Sequence, residues 1–270
     1  MRRLLAVLVM LTSIQFAEAG SQAAQKPSFA PDAIATFSKS VERDLAAQGA
    51  RVAILARQGR PLEDMPEGIV FTHTAIAIYS DISLGDGTKA KGYAIHNLYQ
   101  KPDNPDVSEL VTDYPVDFFW GAHALKAGVI VPSPELQRQI LELFQSKQAA
   151  ALHNPAYSVI ANPFNATYQN CTEYTLDIIN AAIYGTTDKQ RLKANAQAYF
   201  SPEKVRVSRF KLALGGMFAD GVSISDHGRT ISTTTFTTLR AYLRKYALAD
   251  AVYIFDEAGQ RTSHNTLLKG

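Results

Sequence analysis

Phe71-Thr72-His73-Thr74-Ala75-Ile76-Ala77-Ile78-Tyr79 is an almost unbroken apolar and β-branched run with one imidazole near its start. Such a run favours a buried strand. A second run, Gly92-Tyr93-Ala94-Ile95-His96-Asn97-Leu98-Tyr99, follows the turn signal Leu84-Gly85-Asp86-Gly87. Together they predict an antiparallel hairpin with arms at 70–79 and 92–99. Each arm carries a histidine, and pairing in a suitable register would set His73 and His96 on one sheet face.

Outward from the hairpin, Ile34, Phe37, Val41 and Leu45 recur at helical spacing before Gly49 and predict a helix over 31–48. Residues 51–57 read as a strand, and the glycines and prolines of 58–68 as a loop. Residues 100–132, rich in Pro, Asp and aromatics, predict an irregular wall in which Tyr114, Phe118, Phe119 and Trp120 could line an acyl groove or equally belong to the core. Leu136, Ile140, Leu143 and Phe144 predict a helix over 134–150, and 154–170 reads as loop. Helices near 171–184, 188–199 and 235–247 are expected, with strand-like pieces at 204–214, 221–225 and 251–256. Helices and strands do not alternate regularly, so the class is α+β, with an antiparallel sheet packed on a helix.

That helix opens at Asn170-Cys171-Thr172-Glu173-Tyr174, and Cys171 is the only cysteine of the 270 residues. A helix N-terminus presents unpaired N–H groups and a partial positive charge, which stabilise a thiolate. The alternative is a small buried hydrophobe. A thiol nucleophile needs an imidazole to move its proton, and that imidazole needs a third group to hold its tautomer. His73 and His96 are the candidates that the hairpin offers. Asn97 points to the strand face opposite His96, so those two are exclusive candidates for the third role. The Cys171 N–H would meet an oxyanion, with Tyr168 or Asn170 as candidate second donor.

Other signals narrow the field. Residues 1–19 read as a signal peptide, with Arg2 and Arg3, an apolar stretch and Ala17-Glu18-Ala19 as cleavage site, so export to the periplasm or medium is expected. Residues 20–30 read as a flexible leader, and 31–270 as a single domain with a C-terminal elaboration. The apolar stretch is short for a bilayer span, so no stable span is expected after cleavage. One cysteine closes no internal disulfide, and 46% hydrophobic residues can supply the core instead. A formal net charge of +2, lowered by one when the signal is removed, gives no reason to expect a nucleic-acid partner. His123, His153 and His264 show no metal-ligand spacing, and no metal or cofactor is expected. Ser225-Asp226-His227 holds triad residue types, but adjacent residues do not make a triad, and a turn is expected there.

His-x-x-x-x-Ile-Tyr, then Gly-Tyr-x-Ile-His, then Asn-Cys-x-x-Tyr opening a helix resembles the circularly permuted papain-like hydrolases. These include lecithin retinol acyltransferase and are similar to NlpC-type cell-wall peptidases with the chain order rearranged. The resemblance covers mainly residues 68–99 and 165–184, and the chain also resembles a family of uncharacterised exported bacterial proteins. It implies a permuted papain-like fold in which Cys171 is the nucleophile, His73 the general base and acid, and His96 the orienting third member. The link between His73 and His96 is longer than in the compact relatives, and the Gly-Asp pair that often precedes the His strand is missing. The implied activity is an amidase or peptidase acting through a Cys171 thioester, with peptidoglycan peptide as the leading substrate. A lipid acyl hydrolase or acyltransferase is the runner-up, and a binding module of the same fold without turnover is the alternative from another class.

Overall fold

A computed structural model describes residues 26–83, 85–205 and 221–262. The expected signal peptide, most of the leader, Leu84 of the turn signal and most of the expected strand at 204–214 lie outside them. The first helix, α1 (Pro31–Ala47), has Pro31 in its first turn and buries Ile34, Phe37, Val41 and Leu45 along one stripe. Gly49 follows in the left-handed region at φ 66° and turns the chain into β1 (Val52–Arg57), where all six residues are buried.

The hairpin is present and longer than its apolar runs: β2 (His73–Ser83) pairs antiparallel with β3 (Lys89–Gln100). Its tip is polar and exposed. There Asp86 accepts hydrogen bonds from the Thr88 N–H (2.9 Å) and hydroxyl (2.6 Å), and Gly87 takes φ 81°. The expected irregular wall is instead largely ordered, as β4 (Ser108–Asp113), α2 (Pro115–Trp120) and β5 (Lys126–Pro132). β5 is a central strand, paired with β1 on one side and with β8 (Ala249–Asp256) on the other. Its apolar segment is only Val129-Ile130-Val131 between Gly128 and Pro132, too short a run to stand out from its Pro-rich and aromatic surroundings.

With β9 (Arg261–Thr262), the sheet has seven strands in the order β4-β3-β2-β1-β5-β8-β9, every neighbouring pair antiparallel. α3 (Pro134–Gln145) stops short of the expected 150, because Lys147 adopts φ 61° and a 3-10 turn, Gln148–Leu152, follows. Next come α4 (Cys171–Tyr184), α5 (Lys189–Tyr199), the short pair β6 (Glu203–Lys204) and β7 (Ser232–Thr233), and α6 (Phe236–Lys245). Residues 221–225, expected to be strand-like, form no strand.

Strand alternation divides the core in two. Val52, Ile54, Ile76, Ile78 and Leu98 pack against α3, α4 and α6 on one face. Ala53, Leu55, Ala75, Ala77 and Ile95 pack against α1 and α2 on the other. The architecture is therefore a mixed α+β sandwich with helices on both sides of an antiparallel sheet.

Gly128 lies at a close approach between layers, where a Cβ would come within 2.8 Å of the Phe236 ring and 3.0 Å of the Phe71 ring. Those two rings are packed edge to face at 5.0 Å, so neither can yield without disturbing the other. Gly128→Ala should therefore cost about 1–3 kcal/mol through overpacking. The check is a lower urea midpoint at unchanged m-value.

Candidate active site

The start of α4 is fixed by Asn170, whose Oδ1 accepts from the N–H groups of Thr172 (3.1 Å) and Glu173 (2.9 Å). Its Nδ2 donates to the Val159 carbonyl (2.9 Å) and the Thr233 hydroxyl (3.3 Å), tying the helix start to two flanking segments. Cys171 is only 3% exposed and lines a cavity of about 160 Å³ between the β1–β2 connection, the 154–170 loop and residues 233–235. Its Sγ lies 3.6 Å from the Thr172 hydroxyl and 4.0 Å from the Thr72 carbonyl oxygen. The thiol thus sits at the end of the sheet, against the peptide group that leads into His73.

The His73 ring is on the other side. In β2 it is Thr74 that faces α4, with its hydroxyl 3.3 Å from that of Thr175. His73 is 1% exposed, stacked on Tyr99 at 4.9 Å between ring centroids, and 5.5 Å from the Phe118 ring of α2. Its Nε2 is 2.9 Å from Asn97 Oδ1, and Asn97 Nδ2 donates to Asp113 Oδ1 (2.7 Å) and to the Ile95 carbonyl (3.1 Å). Because both Asn97 amide protons are committed, its oxygen faces the imidazole and Nε2 carries the proton. Nδ1 is then a bare acceptor, buried and without a hydrogen-bond partner. No hydrogen bond joins it to Cys171 among the described residues.

Charge reinforces the neutral form. Burial first, and then the Arg57 guanidinium, hold His73 well below the usual histidine range, while the Asn97 contact works in the opposite direction. Arg57 lies 5.7 Å from the centre of the Tyr99 ring and 5.3 Å from that of Phe118. The Tyr99 hydroxyl donates to Asp113 Oδ2 (3.1 Å), and burial pushes that carboxyl up to about 6. Arg57, Tyr99 and Asp113 did not stand out in the sequence. Once the register is known, however, Tyr99 and Asn97 share His73's face by alternation.

The same alternation overturns the expectation that His73 and His96 lie on one face. Ile76 pairs with His96, which places the His96 ring on the α3 side, 4.5 Å from the Phe144 ring, with Nδ1 3.1 Å from the Thr112 hydroxyl. Asn97, not His96, is the side chain against His73. The candidate oxyanion donors are committed elsewhere: Asn170 as described, and the Tyr168 hydroxyl 3.0 Å from the Ser225 hydroxyl. Asp226 and His227 sit at a turn, where Asp226 Oδ2 accepts from the Asn162 N–H (2.8 Å) and His227 Nε2 lies 2.8 Å from the Ile160 carbonyl. Among the described residues, no group of three or more His, Cys, Asp or Glu is placed to hold a metal ion, and no helix is long and apolar enough to cross a membrane.

The protein is thus an antiparallel α+β sandwich carrying a lone thiol at a buried helix start. Residues 44–243 match a family described as "Uncharacterized protein conserved in bacteria (DUF2145)", and the chain belongs to that family. No curated protein and no solved structure matches it.

Burial lowers the His96 pKa from the ordinary 6.5 to about 4. In that window the unfolded chain binds the proton and the folded chain does not, so this stability is present above pH 6.5 and is lost as pH falls toward 4. His96→Leu should reduce the loss between pH 6.5 and 4 by on the order of 1–3 kcal/mol, read from urea midpoints of both proteins at the two pH values.

Proposed function

We propose that the protein is an exported cysteine hydrolase of permuted papain-like fold, which cleaves an amide bond such as that of a cell-wall peptide. Cys171 Sγ would attack the carbonyl carbon, forming a thioester while its proton passes to His73 Nδ1. The same imidazole would then give that proton to the departing amine, and water would release the acid and restore the thiol. Asn97 would hold the ring in the Nε2–H tautomer that this cycle requires. Asn170 takes the N–H groups of Thr172 and Glu173 and leaves that of Cys171 to meet the oxyanion.

The observation that carries this reading is the bare His73 Nδ1 on the residue that follows Thr72, whose carbonyl the cavity-lining Cys171 thiol approaches. Bringing the ring to the sulfur would require the start of β2 to rearrange, because the imidazole lies across the sheet from Cys171 and is stacked on Tyr99. The imidazole's position across the sheet favours a second reading, a binding module whose thiol is only cavity wall.

Iodoacetamide decides between them. Cys171 should be alkylated in the folded protein near pH 7, and His73→Ala should slow the reaction about a hundredfold, the lower end of what a positioned base supplies. Asn97→Ala should slow it less. An unchanged rate in a folded His73→Ala protein would remove the hydrolase reading.

A further inference from the structure

We infer that the cavity beside Cys171 is a binding site for an uncharged apolar group about the size of one aromatic ring, carrying one polar atom. The inference deepens the hydrolase reading and, for the ligand's being part of a substrate, rests on it. Size comes first. A cavity of about 160 Å³ is close to the roughly 150 Å³ that accommodates benzene in a protein interior. A long lipid chain would extend beyond that volume.

Chemistry comes from the walls. Met65, Ile69 and Phe71 contribute from the β1–β2 connection, and Val159 and Ile160 from the loop before α4, so the described lining is mainly apolar. Three consecutive threonines complete it, and their hydroxyls differ. That of Thr233 receives the Asn170 amide, and that of Thr235 accepts the Thr238 N–H (3.2 Å) at the start of α6. The Thr234 hydroxyl is buried with no hydrogen-bond partner. A buried hydroxyl left unpaired is costly, and a ligand amide or carbonyl group can satisfy it. The charged residues in the lining, Arg60 and Asp64, are of opposite sign and give no net preference for an anion or a cation. A diamine side chain or phosphate headgroup would enter without compensation for its lost hydration.

The test separates occupancy from chemistry. Binding of N-benzylacetamide to the full chain is read by ligand-observed NMR, beside its N-dodecyl and N-(2-aminoethyl) counterparts. Alkylation of Cys171 by the three matching chloroacetamides is read by intact mass. The benzyl compound should bind and its chloroacetamide should react about tenfold faster than chloroacetamide itself, as expected for a filled apolar pocket. The dodecyl and aminoethyl compounds should gain nothing. Ile160→Trp should abolish the benzyl preference, and Thr234→Val, which preserves shape, should weaken it should the bulkier variant fail to fold. Benzyl binding with no alkylation by any probe would keep the cavity site and remove the nucleophile, and with it the assignment of the ligand to a substrate. Alkylation at equal rates without benzyl binding would overturn the inference while leaving the hydrolase reading in place. A preference for the dodecyl or aminoethyl compound would overturn it as well.

Discussion

The helix that carries the thiol has no solvent side, and the rest of the structure is arranged around that fact. Every residue from Cys171 to Ala182 is buried, including Thr172, Glu173, Thr175, Asp177 and Asn180. Polar groups in that position must find partners within the protein. Thr175 meets Thr74 of β2, and Asn180 Oδ1 accepts from the Tyr242 hydroxyl of α6 (3.0 Å). Asp177 accepts from Gln169 (2.8 Å) and Lys193 (2.9 Å), and Lys193 also binds Glu173. Burial pushes Glu173 up to about 8, while the Lys193 ammonium beside it works in the opposite direction. These contacts anchor α4 to the sheet, α5 and α6. They fix where Cys171 sits before any chemistry is considered.

Much of this was legible in the sequence, and the failures have specific causes. The stripe Ile34, Phe37, Val41 and Leu45, the hairpin around Gly87, and the Asn170 and Gly185 boundaries of α4 are local signals, and the structure places all of them as the spacing indicates. What sequence spacing cannot supply is register, and register decides which side chains share a face. Had the hairpin paired one residue differently, His96 would stand beside His73. The observed pairing of Ile76 with His96 puts Asn97 and Tyr99 there instead. Lys193 was equally hidden. A lysine within a polar helix reads as solvated until the two carboxylates of a neighbouring helix are seen beneath it.

The second core layer explains why His73 is held so firmly. Its face of the sheet is covered by α2, whose Phe118 is fully buried, and Arg57 donates to the Phe118 carbonyl from the adjoining strand. Imidazole, phenol, amide, carboxyl and guanidinium therefore share one small region under α2. Such a network rigidifies only when its members are satisfied, and His73 Nδ1 is buried in it without a hydrogen-bond partner. An unsatisfied buried acceptor persists at a cost of about 1–3 kcal/mol, and function is one reason for a fold to retain it.

Within the proposed reaction, the same surroundings dictate when the proton moves. A resting thiolate and imidazolium pair would place a second positive charge beside Arg57 in a buried region, and burial with that guanidinium already holds His73 well below its ordinary range. The imidazole therefore rests neutral. A neutral imidazole with a free Nδ1 accepts the thiol proton as the carbon–sulfur bond forms, when the developing oxyanion supplies compensating negative charge. Within that proposal, the carbonyl under attack would supply the charge that makes an imidazolium tolerable so close to Arg57.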